Sequence, residues 1–193
     1  MDIEPLLVPG SFLVKPKVHG DNRGEFVEWF RADLLNQATG LDFSVAQASL
    51  SLSAKGTLRG IHFADVPPGQ AKYVMCSSGS IEDYVVDIRV GSPTFGAWDR
   101  VAISASERNA IVLDVGLGHA FLALEDNTTV TYLVTDRHKP LAEHGINPFD
   151  SDLKLDFSLP ARELLFSEKD AAAPGFFEAQ ASGLLPKWRG LQN

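Results

Sequence analysis

The sequence predicts an all-β fold, an antiparallel sandwich or barrel with short helices at its periphery, on three observations. Between about residues 45 and 135 of the 193-residue chain, short apolar or alternating runs of strand length follow one another. Clusters of Gly, Pro, Ser and Asn separate most of them: "VPPG", "SSG", "GSPTFG", "VGLG" and "EDN". No helical periodicity lies between them, which argues against strand–helix–strand units and for antiparallel pairing.

The elements follow in order. "GDNRGEF" is a hairpin turn near the N-terminus. "RADLLNQATG" is a short helix stopped by Gly40. "VAQASLSLS" alternates strictly, with Ala46, Ala48, Leu50 and Leu52 on one face and Gln47, Ser49, Ser51 and Ser53 on the other. "GTLRGIHFADVPPGQAKYV" is two strands joined by a Pro/Gly loop, the second continuing as "AKYVMCS". The runs "SIEDYVVDIRV", "WDRVAIS", "NAIVLDV", "HAFLALE" and "TTVTYLVTD" complete the series. After residue 140 the pattern changes, and "SEKDAAAPGFFEAQASGLL" is expected to form loops and short helices over the outside or the mouth of the barrel. The expected organisation is one domain over 1–193, with its barrel core at about 45–135 and peripheral loops and short helices at about 140–193.

Composition limits the function. Hydrophobic content of 45% and charged content of 22% suit a globular protein. A net charge of −8 argues against a nucleic-acid surface, yet leaves room for a small anionic ligand held by a few cations in a pocket. The apolar runs are too short to span a membrane. The opening "MDIEPLLVPG" lacks the features of a signal peptide, and a single cysteine, Cys76, suits a reducing compartment, so a cytoplasmic location is expected.

Against that background, three cations stand out. Arg59, His62 and Lys72 lie on strands whose other residues are mostly apolar. Lys72 alternates with Val74 and Cys76, which turns it inward, where a lysine is expensive unless paired. Arg59 and His62 are three apart, so a regular strand sends them to opposite faces; a bulge at the intervening Gly60 brings them to one side. Tyr132 shares the inward face of its strand with Val130 and Val134, while Thr129, Thr131 and Thr135 take the other. On composition alone Tyr132 is a core tyrosine whose hydroxyl needs a partner, and His119 a strand-start histidine bonded to backbone. No metal-ligand set forms around His62: position 64 is alanine, and Asp65 falls at a loop start. A base, two cations and an acid on one inward surface suit proton transfer with charge stabilisation.

"GTLRGIHF", "PPGQAKYV", "VDIRVGSPTFGAWDRVAIS", "GLGHAFLALED", "YLVTD" and "SEKD" together resemble the dTDP-4-dehydrorhamnose 3,5-epimerase family, in order and spacing, over about residues 20–170. The resemblance implies a cupin-type jelly-roll barrel, a homodimer, and activity without metal or organic cofactor. It implies His62 as general base, Asp170 as the carboxylate orienting it, Lys72 beside the C4 keto oxygen of the sugar, and Tyr132 as acid on the opposite ring face. Arg59 and Arg23 resemble phosphate ligands. Phe26 and Glu28 resemble nucleotide contacts, and Gln47, His119, Glu143 and Lys169 fall at other substrate-contact positions. The substrate implied is a dTDP-4-keto-6-deoxyhexose inverted at C5, C3 or both.

The chain also departs from the commoner family pattern. "QASLS" replaces "QDNHS", so Ser49 stands for an amide. Arg137 and His138 replace an aromatic after the "YLVTD" strand, Asp114-Val115-Gly116 replaces "PxG", and "GINPFDSDL" lacks the usual Arg and Trp. The departures resemble the antibiotic-sugar branch, and the altered pocket at Ser49 and His138 is expected to favour one carbon, C5. Three readings remain beside epimerisation: a 3,4-ketoisomerase of the same sugar, a non-catalytic nucleotide-sugar-binding cupin, and a metal-dependent cupin oxygenase.

Overall fold

The computed structural model describes residues 1–190. In chain order the strands are β1 (Asp2–Pro5), β2 (Ser11–Lys15), β3 (Val18–Asp21), β4 (Gly24–Val27), β5 (Gln47–Ser53), β6 (Leu58–Ala64), β7 (Lys72–Ser78), β8 (Ser80–Val86), β9 (Trp98–Ser104), β10 (Ala110–Leu113), β11 (Gly118–Ala123), β12 (Thr128–Val134) and β13 (Glu143–Gly145). The helices are α1 (Ala32–Thr39), α2 (Glu168–Ala171) and α3 (Phe176–Ala181). A six-stranded sheet has the order β1-β2-β10-β7-β12-β5, and a five-stranded sheet the order β13-β6-β11-β8-β9. Strand pairings in both sheets are antiparallel. The chain crosses repeatedly between them, with β5, β7, β10 and β12 in the first and β6, β8, β9 and β11 in the second. This is the double-sheet barrel of a jelly roll.

Three apolar layers hold it together. Between the sheets, Val74, Cys76, Ile81, Val85, Ile111, Phe121 and Val130 form the inner core. On the outer face of the six-stranded sheet, α1 and its flanks bring Leu35, Phe30 and Phe43 against Tyr73 and Val112. α1 ends at Gly40 in the left-handed region, φ 73°, where glycine carries no Cβ penalty. On the outer face of the five-stranded sheet, the C-terminal segment packs Leu153, Leu164, Phe176 and Leu185 over Leu58, Phe63, Tyr84 and Leu122. Losing one such side chain, as in Phe176→Ala, costs about 3–5 kcal/mol. Short C-terminal helices on the barrel's exterior are thus as the sequence predicts; residues 191–193 of that span lie outside the described residues.

Two strand expectations change. Barrel strands also come from outside 45–135: β1 and β2 complete the six-stranded sheet and β13 edges the five-stranded one. The run "SIEDYVVDIRV" stops being strand at Val86 because the buried Asp87 carboxylate collects Arg89, Ser92 and Thr94 in a tight turn. Arg89 also donates to the Pro9 carbonyl and lies under the Trp188 ring, so this motif anchors both ends of the chain.

Candidate active site

A cavity of about 400 Å³ opens between the sheets, lined by Gln47, Ser49, Arg59, His62, Gln70, Lys72, His119, Phe121, Tyr132, Val134, His138 and Glu143. Its floor comes from β6 and β11. His62 pairs with His119 and Arg59 with Phe121, so three residues of β6 span two of β11. The extra residue is accommodated at Gly60, φ 117°, where a Cβ would lie 2.4 Å from the His119 carbonyl oxygen. This bulge turns Arg59 and His62 to one side, as their spacing requires.

His62 Nε2 lies 2.6 Å from Asp170 Oδ1. The carboxylate is 7% exposed and the imidazole 42%, so the imidazole faces solvent while its carboxylate partner is buried. Ser167 caps α2 by accepting the Asp170 backbone N–H at 3.0 Å, which fixes that carboxylate. Burial pushes Asp170 up, but His62, Ser167 and the Gly60 N–H more than offset it and hold the carboxyl below its ordinary value. An Nε2–H donated to Asp170 leaves Nδ1 of a neutral imidazole with the lone pair.

The opposite wall belongs to the six-stranded sheet. Lys72 on β7 donates to the Gln70 side chain. Burial pushes its pKa down to about 8, against the upward pull of Glu143. Tyr132 on β12 places its hydroxyl 3.1 Å from Ser51 Oγ. Burial pushes the phenol above its ordinary value, and Ser51 and Arg59 pull it back. β5 turns its polar face to this wall: Gln47 Nε2 donates to Ser49 Oγ at 2.9 Å and Arg59 Nε to Ser53 Oγ at 3.3 Å. Leu50 and Leu52, on the apolar face, are 65% and 60% exposed.

His119 is backed by a carboxylate rather than by backbone, with Nε2 2.8 Å from the buried Asp83 Oδ2. His138 Nδ1 lies 2.5 Å from Glu143 Oε1, and its backbone N–H donates to Gln47 Oε1 at 3.0 Å. An adjoining cavity of about 350 Å³ shares Arg59 and His62 and adds Leu165, Phe166, Lys169 and Asp170. Among the described residues, no group of three or more His, Cys, Asp or Glu side chains converges as a metal site would require.

The fold therefore gathers Gln47, Arg59, His62, Lys72, His119, Tyr132 and Glu143 in one cavity, with Lys169 and Asp170 beside it. It does not bring in Arg23, Phe26 or Glu28 from the same chain. These belong to the β3–β4 hairpin and its exit, a separate two-stranded sheet. Arg23 pairs with Asp21, Phe26 is 66% exposed, and Glu28 lies 3.6 Å from Arg31. The residues missed from sequence are Ser51, Gln70 and Asp83. An aspartate inside the apolar run "SIEDYVV" was a readable signal for the last; the other two carry none.

A carboxylate-backed histidine on one sheet facing a lysine and a tyrosine on the other, inside a jelly-roll barrel, is a set of groups that can exchange protons with a bound ligand. The family model for dTDP-4-dehydrorhamnose 3,5-epimerase matches residues 5–178. A Mycolicibacterium smegmatis protein named dTDP-4-dehydrorhamnose 3,5-epimerase is 46% identical over 192 residues, covering 100% of this chain and 94% of that one. The solved structure of NovW, a 4-keto-6-deoxy sugar epimerase from the novobiocin cluster of Streptomyces spheroides, superposes with a TM-score of 0.95 at 42% identity, over 100% of this chain and 96% of that one. ChmJ, a 3'-monoepimerase from Streptomyces bikiniensis solved with dTDP-quinovose, gives 0.90 at 45% identity, over 95% and 92%. The chain belongs to the dTDP-4-dehydrorhamnose 3,5-epimerase family and is a nucleotide-sugar epimerase. No helix among the described residues is long and apolar enough to cross a membrane.

Proposed function

We propose that this chain inverts C5, C3 or both in a dTDP-4-keto-6-deoxyhexose by proton abstraction through an enolate. The observation that carries the reading is the split of the cavity: His62 belongs to one sheet and Tyr132 and Lys72 to the other. A sugar ring between the sheets meets a base on one face and an acid on the opposite face, which inversion requires.

The proton beside a ketone is a very weak acid, and an ordinary histidine titrates near 6.5. Abstraction is uphill unless the oxyanion is stabilised as it forms. Lys72, cationic and half-buried, supplies that charge where solvent screens it little. Asp170 holds the His62 tautomer and supports the imidazolium. Tyr132 then delivers its proton from the other side. Arg59 holds the diphosphate, and Gln47, His119, Glu143 and Lys169 contact the rest of the substrate. We further propose that the working form is a homodimer in which the hairpin of a second copy brings Arg23, Phe26 and Glu28 to the nucleotide end. The reading is supported by the hairpin's exposure and by its anchoring through Glu25 and Arg108, which hold it away from its own cavity.

The test is a time course with dTDP-4-keto-6-deoxyglucose in D₂O, counting deuterium and configuration at C3 and C5 separately. One carbon is expected to lead, C5 by the pocket changes at Ser49 and His138. Tyr132→Phe is expected to keep exchange and lose inversion. Equal incorporation at both carbons sinks the single-carbon reading, a migrated carbonyl means ketoisomerase, and inversion by Tyr132→Phe near the wild-type rate sinks the two-face mechanism.

A further inference from the structure

Tyr132 has an unusual surrounding for a proton donor. Its hydroxyl is buried, and among the described residues its one hydrogen-bond partner is Ser51 Oγ at 3.1 Å. Directly across from Tyr132 are Ser49 on β5 and Val74 on β7; Ser51 reaches it diagonally, from the position opposite the buried Val130. β5 is the edge strand of its sheet, and Ser51 is half-buried on it behind the cavity-lining Ser49 and Tyr132, so it touches the phenol and keeps some access to solvent. The other polar or titratable groups around the ring are Arg59 on β6, Cys76 on β7, Asp83 on β8 and His119 on β11. None of these hydrogen-bonds the phenol among the described residues. Asp83 and Cys76 oppose its ionisation, while Ser51 and Arg59 favour it.

We propose that Ser51 is the positioning residue of the Tyr132 donor: its hydroxyl aims the phenol at the ring, stabilises the phenolate left after transfer, and returns a proton to it from water. The inference rests on the reading of Tyr132 as acid. When the Tyr132 O–H bond breaks, its proton bonds to carbon and its electron pair stays on oxygen. Ser51 Oγ–H then donates to that phenolate. For turnover the Ser51 proton passes to Tyr132 Oη while a solvent water at the strand edge protonates Ser51 Oγ; the hydroxide formed is neutralised by the proton that His62 releases to solvent, so no net charge or oxidant is needed. A serine that merely satisfied a buried phenol would affect packing and stability, but would not separate exchange from inversion.

The experiment compares wild type, Ser51→Ala, Ser51→Thr and Tyr132→Phe in D₂O, with thermal melting as the check on folding. Ser51→Ala is expected to keep deuterium exchange within about twofold and to lose inversion by about 10²-fold, the low end for a general acid. Ser51→Thr, which keeps the hydroxyl, should restore inversion. If Tyr132→Phe abolishes inversion and Ser51→Ala does not, the assignment of Ser51 is wrong while the acid stands. Equal loss of exchange and inversion in Ser51→Ala likewise overturns it. Inversion intact in Tyr132→Phe removes the acid itself, a separate failure.

Discussion

His62 and Tyr132 look into one cavity from opposite sheets, the first from the bulged strand β6 and the second from β12. Neither side chain is near the other in sequence, and no single strand could present both to opposite faces of a bound ring. The double-sheet barrel supplies the second face.

His62→Ala should abolish proton exchange at the substrate carbon, a loss of about 10²–10⁴-fold or more. Asp170→Asn should fall less, because it disturbs only the tautomer and basicity of the imidazole that Asp170 Oδ1 holds at 2.6 Å. Single-turnover exchange in D₂O ranks the two. Equal severity in a folded Asp170→Asn protein would give Asp170 a more direct part.

Arg59 is well placed to bind an anion: among the described residues its hydrogen bonds go to Ser53 Oγ and the Leu52 carbonyl, not to a carboxylate. Arg59→Ala should raise KM about ten- to a hundredfold, the equivalent of losing a charge-assisted hydrogen bond worth roughly 1.5–3 kcal/mol. The penalty should shrink for a sugar ligand without the diphosphate. An unchanged KM would make Arg59 structural.

Lys72 predicts opposite effects on rate and stability. On the proposed mechanism, activity should fall as pH rises through about 8, because the ammonium assigned to the enolate loses its charge there. Lys72→Met should be inactive yet melt higher. The folded chain gives up this proton near 8 and the unfolded chain only near 10.5, so wild-type stability recovers across that interval. The melting advantage of Lys72→Met should therefore be greatest below about pH 8 and close toward 10.5. A lower melting temperature for Lys72→Met at neutral pH would mean that Gln70 and Glu143 fully compensate its burial.

Mixing provides a test of the second copy. Arg23→Ala and His62→Ala proteins, each inactive alone, should regain partial activity when unfolded and refolded together, because one cavity of a mixed dimer receives an intact hairpin and an intact base. No recovery, with mixed dimers verified by mass, would place Arg23 outside the partner's site.

How much of this was legible in the sequence varied with the range of the interaction. The bulge at Gly60 was legible because Arg59 and His62 violate strand parity within four residues. The inward aim of Lys72 and Tyr132 followed from alternation with Val74, Cys76, Val130 and Val134, all on the core side. The pairings of Tyr132 with Ser51 and His119 with Asp83 were not legible, since they depend on strand register across 81 and 36 residues. The positions of Arg23, Phe26 and Glu28 were hidden for a related reason: a local hairpin pattern does not say which body the hairpin serves. Nor did the alternation of β5 reveal that its serine face, not its leucine face, turns to the cavity.

That reversed strand has a consequence for how the enzyme can change over evolutionary time. Odd-numbered positions of β5 face inward, with Gln47 and Ser49 lining the cavity, and even-numbered ones face the exterior. Deleting or inserting one residue within it would reverse the facing of every residue on one side of the change, turning leucines toward the cavity and polar residues outward. Length changes here are tolerable only in steps of two, while point substitutions on either face leave the opposite face untouched. Pocket chemistry and exterior chemistry can thus diversify independently along seven residues of backbone, provided their number never becomes even.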